Sequence, residues 1–193
     1  MRYFGFLARR RDLLVGAALG LLAVTVSGAE APRVKFTTTA GDFVIEVYPD
    51  KAPRTVENFL QYVRDKHYDG TVFHRVIDGF MIQGGGFSAE MQQKPTRSPI
   101  PLEAANGLRN DRGTLAMART SDPNSATAQF FINVKDNESL NAKGLSDGYA
   151  VFGRVVSGLE TVDRIRIVST ASRGQHHNVP VSPIVISRAT IEK

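Results

Sequence analysis

No cysteine occurs among the 193 residues, and that absence removes disulfides, thiolate nucleophiles and cysteine zinc ligands together. Stability must then come from the apolar core alone. Long hydrophobic runs are missing too. The longest, Leu13 to Val26, has 14 residues, whereas a membrane-spanning helix needs about 20. Nor is there a large charge of one sign. The chain carries 24 basic and 19 acidic residues, but positions 1–29 hold four arginines and one aspartate, leaving 20 against 18. A net charge of +2 over residues 30–193 is too small to favour nucleic acid as a partner. No repeat, low-complexity run or long linker interrupts Val34 to Lys193, which fits one domain with a sizeable core.

Several chemistries are excluded by motifs that fall short. Gly84-Gly85-Gly86 lacks the lysine and Ser/Thr of a phosphate-binding loop, and no helix signal follows it. Its glycines are expected to let a strand turn sharply beside a site. His176-His177 would point to opposite faces of a strand, with no cysteine or nearby carboxylate to complete a zinc site. Asp136-Asn137-Glu138 lacks the alternating ligands and central glycine of a calcium loop. Ser88 sits in Gly-Phe-Ser-Ala-Glu, which misses a nucleophile elbow by its last residue. His74 is expected to be a satisfied structural histidine rather than a general base.

The amino-terminal stretch has the plan of a secretory signal. Arg2, Arg9, Arg10 and Arg11 precede the apolar run, and small residues follow in Ser27-Gly28-Ala29 and Ala29-Glu30-Ala31. Cleavage is expected after Ala29, with Ala31 the second choice. Arg10-Arg11-Asp12-Leu13-Leu14 also resembles a twin-arginine signal. The expected division is a cleavable signal peptide over 1–29 and one domain over 30–193.

Short β-like runs fill that domain. Val34–Thr38, then Ala40-Gly41-Asp42, then alternating Phe43, Ile45 and Val47 predict an opening hairpin. Further strands are predicted over Val72–Val76, Met81–Gln83, Thr114–Ala118, Phe130–Asn133, Val151–Val155 and Val181–Arg188. Two segments read as helices. Val56, Phe59, Leu60 and Val63 fall at i, i+3, i+4 and i+7 behind Pro53, a proline tolerated in a first turn. A second helix is predicted over Leu159–Ile167 with Val162 and Ile165 inward. Many short strands with two helices predict a mainly β fold, a closed antiparallel barrel whose ends the helices cover.

Two stretches invite a functional reading. In FHRVIDGFMIQGGG, Arg75 stands beside Phe80, Met81 and Gln83; an arginine among large hydrophobes pairs with an acid, reaches to water or faces a ligand. In GTLAMARTSDPNSATAQFFINV a polar, turn-rich loop separates two apolar segments. It either borders a pocket or merely joins two core strands.

Taken together, FHRVIDGFMIQGGG, GTLAMART, SATAQFFINV and YAVFGRVVSGLETVDRI resemble the cyclophilin family of peptidyl-prolyl cis-trans isomerases. The resemblance runs from about Val34 to the end, and SATAQFFINVKDN with the export signal is most similar to the bacterial periplasmic branch. It implies an eight-stranded antiparallel β-barrel capped by two α-helices, with the active groove on the outer face. Carried onto this chain, the catalytic arginine is Arg75, with Phe80 and Gln83 beside it. The proline pocket falls on Phe80, Met81, Phe131 and Leu140. Polar and backbone contacts fall on Gln83, Ala118 and Gln129, and Tyr149 stands where many members have a histidine near the groove. Ser139 replaces a tryptophan of many members, which implies weak binding of cyclosporin-type ligands.

The resemblance also implies an enzyme that needs no cofactor or metal. Its implied partners are proline-containing unfolded or newly exported polypeptides, met by a monomer in the periplasm. The alternative is a non-catalytic proline-binding module or holdase.

Overall fold

The computed structural model describes residues 1–2, 30–144 and 147–192. The expected signal segment therefore lies, apart from its first two residues, outside the described residues.

Within that range the chain forms β1 (Arg33–Thr38), β2 (Gly41–Val47), α1 (Pro53–Arg64), β3 (Thr71–Ile77), β4 (Met81–Ser88), β5 (Thr114–Met117) and β6 (Phe130–Asn133). A short 3-10 turn, Glu138–Leu140, leads to β7 (Val151–Ser157) and α2 (Leu159–Arg166). The chain continues with β8 (Thr170–Arg173), β9 (His176–Pro180) and β10 (Val185–Ile191). Eight strands close an antiparallel barrel in the order β1-β10-β3-β4-β6-β5-β7-β2, and β8 and β9 form a separate two-stranded sheet. This is the expected mainly β barrel with two helices.

The barrel follows from the alternation of its strands. Phe43, Ile45 and Val47 of β2 are buried while Val44 and Glu46 are half-buried, so one face of the hairpin joins the core. Phe36, Phe43, Phe59, Tyr68, Phe73, Phe130 and Phe152 gather in that core. Phe36 stacks on Phe43 at 5.0 Å between ring centroids, and Phe59 meets Phe130 edge-on at 5.9 Å. Each such buried ring contributes roughly 2–3 kcal/mol through the water it escapes. Tyr68 keeps its hydroxyl satisfied by donating to the Ala128 carbonyl at 3.0 Å.

The helices add their apolar faces to the same core. In α1, Pro53 occupies the first turn, where its missing N–H is no loss, and Val56, Phe59, Leu60 and Val63 are buried. Glu103 takes the place of a cap on this helix. Its carboxylate accepts from the Thr55 amide at 2.8 Å and the Thr55 hydroxyl at 2.7 Å, satisfying first-turn donors that α1 cannot pair internally. In α2, Val162 and Ile165 face inward as the spacing predicts.

Three expectations need correction. The last strand runs Val185–Ile191 rather than Val181–Arg188, and Val181 is 65% exposed. Pro183 lacks the N–H a ladder needs, so pairing with β1 starts beyond it, at Ile186 opposite Thr38. The β8–β9 hairpin escaped the strand reading because all four residues of β8 are exposed and give no alternation. His74 is buried as a structural histidine, yet among the described residues its Nδ1 has no hydrogen-bond partner, so the ring is not fully satisfied as expected. Its ring packs against Phe87 at 4.7 Å, and burial pushes its pKa down to about 4.

Candidate functional site on the outer face

The strands that fill the barrel also build a second, smaller apolar cluster on their opposite face. Along β4, Ile82 belongs to the interior whereas Met81 belongs to the second cluster. Along β6, Phe130 and Ile132 point inward and Phe131 joins Met81 outside. Ala116 and Val151 complete this cluster, and Phe80, Ala118, Leu140 and Tyr149 pack on it. Period-two geometry therefore turns four buried strands into both a core and a groove floor.

Arg75 reaches this face through an irregularity in β3. Phe73 is in the interior, and strict alternation would send Arg75 inward with it. The β3–β4 register shifts between Phe73 and Arg75, after which Arg75 lies opposite Gln83 and Val76 is the residue that enters the core. The bulge thus re-aims a guanidinium from core to groove. Arg75 Nη1 donates to Gln83 Oε1 at 3.3 Å, and Gln83 Nε2 donates to Gln129 Oε1 at 2.9 Å. This relay orients Arg75 without neutralising its charge.

The second and third glycines of Gly84-Gly85-Gly86 make room behind the relay. Gly85 adopts φ +82°, a left-handed conformation favouring glycine, with the Tyr68 ring against it. A Cβ at Gly86 would stand 2.5 Å from Gln129 Cγ. Only a residue without a side chain lets Gln129 lie where it meets Gln83.

A cavity of about 90 Å³ opens on this face. Phe80, Met81, Phe131 and Leu140 supply apolar walls, Arg75 and Gln83 a polar edge, and Ala118, Arg119 and Tyr149 the remainder. Its volume is well below the roughly 300–1,000 Å³ of pockets for drug-sized ligands, so it suits one small ring. Phe131 and Tyr149 meet edge-on at 5.6 Å, which fixes one wall.

Of the nine residues singled out from the sequence, eight line this cavity. The ninth, Gln129, touches it through Gln83, and its backbone carbonyl accepts from the Ala118 amide at 2.9 Å. Ser139 is exposed on the neighbouring 3-10 turn.

Two features were not found from the sequence. One is Arg119, whose guanidinium carbon lies 4.7 Å from the centroid of the Tyr149 ring. The other is a buried trio, Asn110, Asn133 and Asn137. Asn137 Nδ2 donates to the Phe80 carbonyl at 2.8 Å and to Asn133 Oδ1 at 2.7 Å. Asn133 Nδ2 donates to Asn110 Oδ1 at 3.2 Å, and Asn110 Nδ2 to the Leu140 carbonyl at 3.0 Å. The trio fastens Phe80 and Leu140, two walls of the cavity, to the end of β6. An asparagine closing the apolar run Phe-Phe-Ile-Asn was the available signal, since a buried amide demands partners.

Known proteins resemble the chain over most of its length. Residues 33–191 match the family model described as cyclophilin type peptidyl-prolyl cis-trans isomerase/CLD. A peptidyl-prolyl cis-trans isomerase of Streptomyces antibioticus is 60% identical over 161 residues, covering 82% of this chain and 97% of the relative. Peptidyl-prolyl cis-trans isomerase B of Escherichia coli is 55% identical over 163 residues, covering 83% and 99%. Among solved structures, a cyclophilin type peptidyl-prolyl cis-trans isomerase of Cryptosporidium parvum superposes with a TM-score of 0.70 at 28% identity, over 84% of this chain and 98% of that one. That protein was also crystallised in the presence of the dipeptide Ala-Pro, a structure that superposes with a TM-score of 0.70 at 29% identity, over 83% of this chain and 99% of that one.

Proposed function

The chain belongs to the cyclophilin-type peptidyl-prolyl cis-trans isomerase family, and from that premise we propose that it isomerises Xaa-Pro bonds of exported polypeptides with Arg75 as the catalytic group. The observation that carries the site assignment is the juxtaposition of an oriented guanidinium with a small apolar cavity.

Rotation about an Xaa-Pro bond is slow because twisting destroys amide resonance, a barrier of roughly 18–20 kcal/mol. The twisted bond leaves the prolyl nitrogen pyramidal, with a lone pair that the planar amide lacks. Arg75 donating to that nitrogen interacts more strongly with the twisted state than with either planar one, which is the condition for acceleration. Arginine suits this role because its planar fork holds several donors in fixed directions. Gln83, itself braced by Gln129, sets the direction of the fork. Phe80, Met81, Phe131 and Leu140 hold the pyrrolidine ring and exclude water while the rest of the peptide turns. The chain's own residues supply every group this mechanism uses.

Export is supported by the arginine-rich start, the apolar run and the small residues before Glu30. On this reading residues 1–29 are removed, residues 30–193 form the working domain, and the protein acts as a monomer in the periplasm. The near-neutral charge of that domain gives nucleic acid no electrostatic hold. Ser139, exposed where a tryptophan would extend the groove, supports weak binding of cyclosporin-type ligands.

The test is the cis-to-trans relaxation of a short Xaa-Pro peptide, with wild type and Arg75→Ala compared. Acceleration by wild type that falls about 100-fold or more in the variant is expected, the scale for losing one preorganised donor. A folded wild type that binds the peptide without accelerating it would leave a proline-binding module as the better account.

A further inference from the structure

The cavity carries more positive charge than a neutral proline ring requires. Arg75 and Arg119 both line it, and among the described residues no aspartate or glutamate does. Among the described residues Arg119 is held by neutral groups alone. Its Nε and Nη2 donate to the Gly148 carbonyl at 3.2 and 3.0 Å, and Nη1 donates to the Thr120 carbonyl at 2.9 Å. The Tyr149 ring faces its guanidinium. Two other arginines are treated differently. Arg109 pairs with Glu138 at 3.0 Å and Arg112 with Asp163 at 2.7 Å, so their charges are compensated.

A guanidinium has five N–H donors, and these bonds leave Arg119 with donors to spare. Carbonyls and an aromatic face fix its position, so little side-chain entropy remains to be lost when a partner arrives. A fixed, half-buried cation with free donors, beside a site that binds a neutral ring, is matched by a carboxylate on the same peptide. Resting on the isomerase reading of this site, we infer that Arg119 is a specificity-determining residue that selects proline peptides carrying an aspartate or glutamate next to the proline.

Four peptides test this: Ala-Ala-Pro-Ala, Ala-Glu-Pro-Ala, Ala-Ala-Pro-Glu and Ala-Lys-Pro-Ala, each measured for kcat/KM by relaxation and for Kd by NMR titration. The proteins are residues 30–193 of wild type, Arg119→Gln and Arg119→Lys, with folding checked by circular dichroism. At low salt, wild type is expected to favour one glutamate peptide over the alanine peptide by about threefold, the scale of a single partly exposed ion pair. The lysine peptide should fall below both. The preference should vanish in Arg119→Gln, persist in part in Arg119→Lys and shrink as salt is raised.

Equal kcat/KM and equal Kd for the acidic and neutral peptides in wild type would overturn the inference, as would a preference untouched in Arg119→Gln. If no peptide is accelerated, the isomerase reading fails separately, and the Kd values still decide the role of Arg119.

Discussion

The two faces of β6 make an instructive pair. Phe130 and Phe131 are adjacent, chemically identical and both almost fully buried, yet one belongs to the barrel interior and the other to the groove floor. Phe130 is enclosed by Phe36, Phe59, Tyr68 and Phe73. Among the described residues Phe131 meets only Tyr149 of the aromatic rings, and it lines a cavity open to a ligand. Burial alone therefore does not distinguish a residue that holds the fold from one that serves the site. What distinguishes them is whether neighbouring side chains complete the packing or leave a space.

Substitution should separate the two faces. Phe130→Ala is expected to cost about 3–5 kcal/mol of stability, since it empties a position enclosed on every side. Phe131→Ala should cost distinctly less in a urea titration but lower kcat/KM at least about tenfold, because a pocket wall is lost. Equal stability losses, with activity retained in the folded fraction of Phe131→Ala, would erase the distinction.

His74 tests the comparison through pH. Its pKa is about 4 in the folded chain against an ordinary 6.5, so the unfolded chain binds its proton first. Neutral His74 leaves stability intact above about pH 6.5, and stability is lost as pH falls from there toward 4. The loss should be of order 2–3 kcal/mol. Urea midpoints at pH 7.5 and pH 4.5 should diverge strongly in wild type and much less in His74→Phe. His67, also lowered by burial, supplies a residual slope in both.

The asparagine trio joins the two faces, so it should show in both measurements. Asn137→Ala and Asn137→Asp each remove the donors to the Phe80 carbonyl and Asn133, at a cost of about 1–3 kcal/mol. Both should raise KM for a proline peptide by loosening Phe80. A change in melting temperature with KM untouched would reduce the trio to a structural brace.

The smallest effect is expected at Gly86. A methyl group there collides with the Gln129 side chain, which must swing away from Gln83. Gly86→Ala should lower kcat by a few-fold while shifting stability by less than about 1 kcal/mol. An unchanged kcat would mean that the glutamine relay does not orient Arg75.

Much of this was legible in the chain. Alternation in β2 and the 3.6-residue spacing of Val56, Phe59, Leu60 and Val63 announced their elements because each buries one face, and the short apolar run of β6 announced a strand buried on both. The β8–β9 hairpin was not legible, since an exposed strand needs no apolar pattern. The site residues were recognised through family resemblance. Their local pattern alone left Arg75 between an ion pair, a solvated tip and a ligand contact.

By itself the sequence determined that the chain would be a cysteine-free domain of short strands, with a helix behind Pro53 and a sizeable apolar core. Those properties follow from composition and periodicity, which act over a few residues. Only the tertiary structure decided that Arg75 faces outward, because the bulge that reverses it exists only in the pairing of β3 with β4. It alone brought Arg119 over Tyr149 and joined Asn133 to Asn110, 23 positions away, and to Asn137. Such contacts depend on which strands become neighbours when the barrel closes, and no local stretch of sequence encodes that.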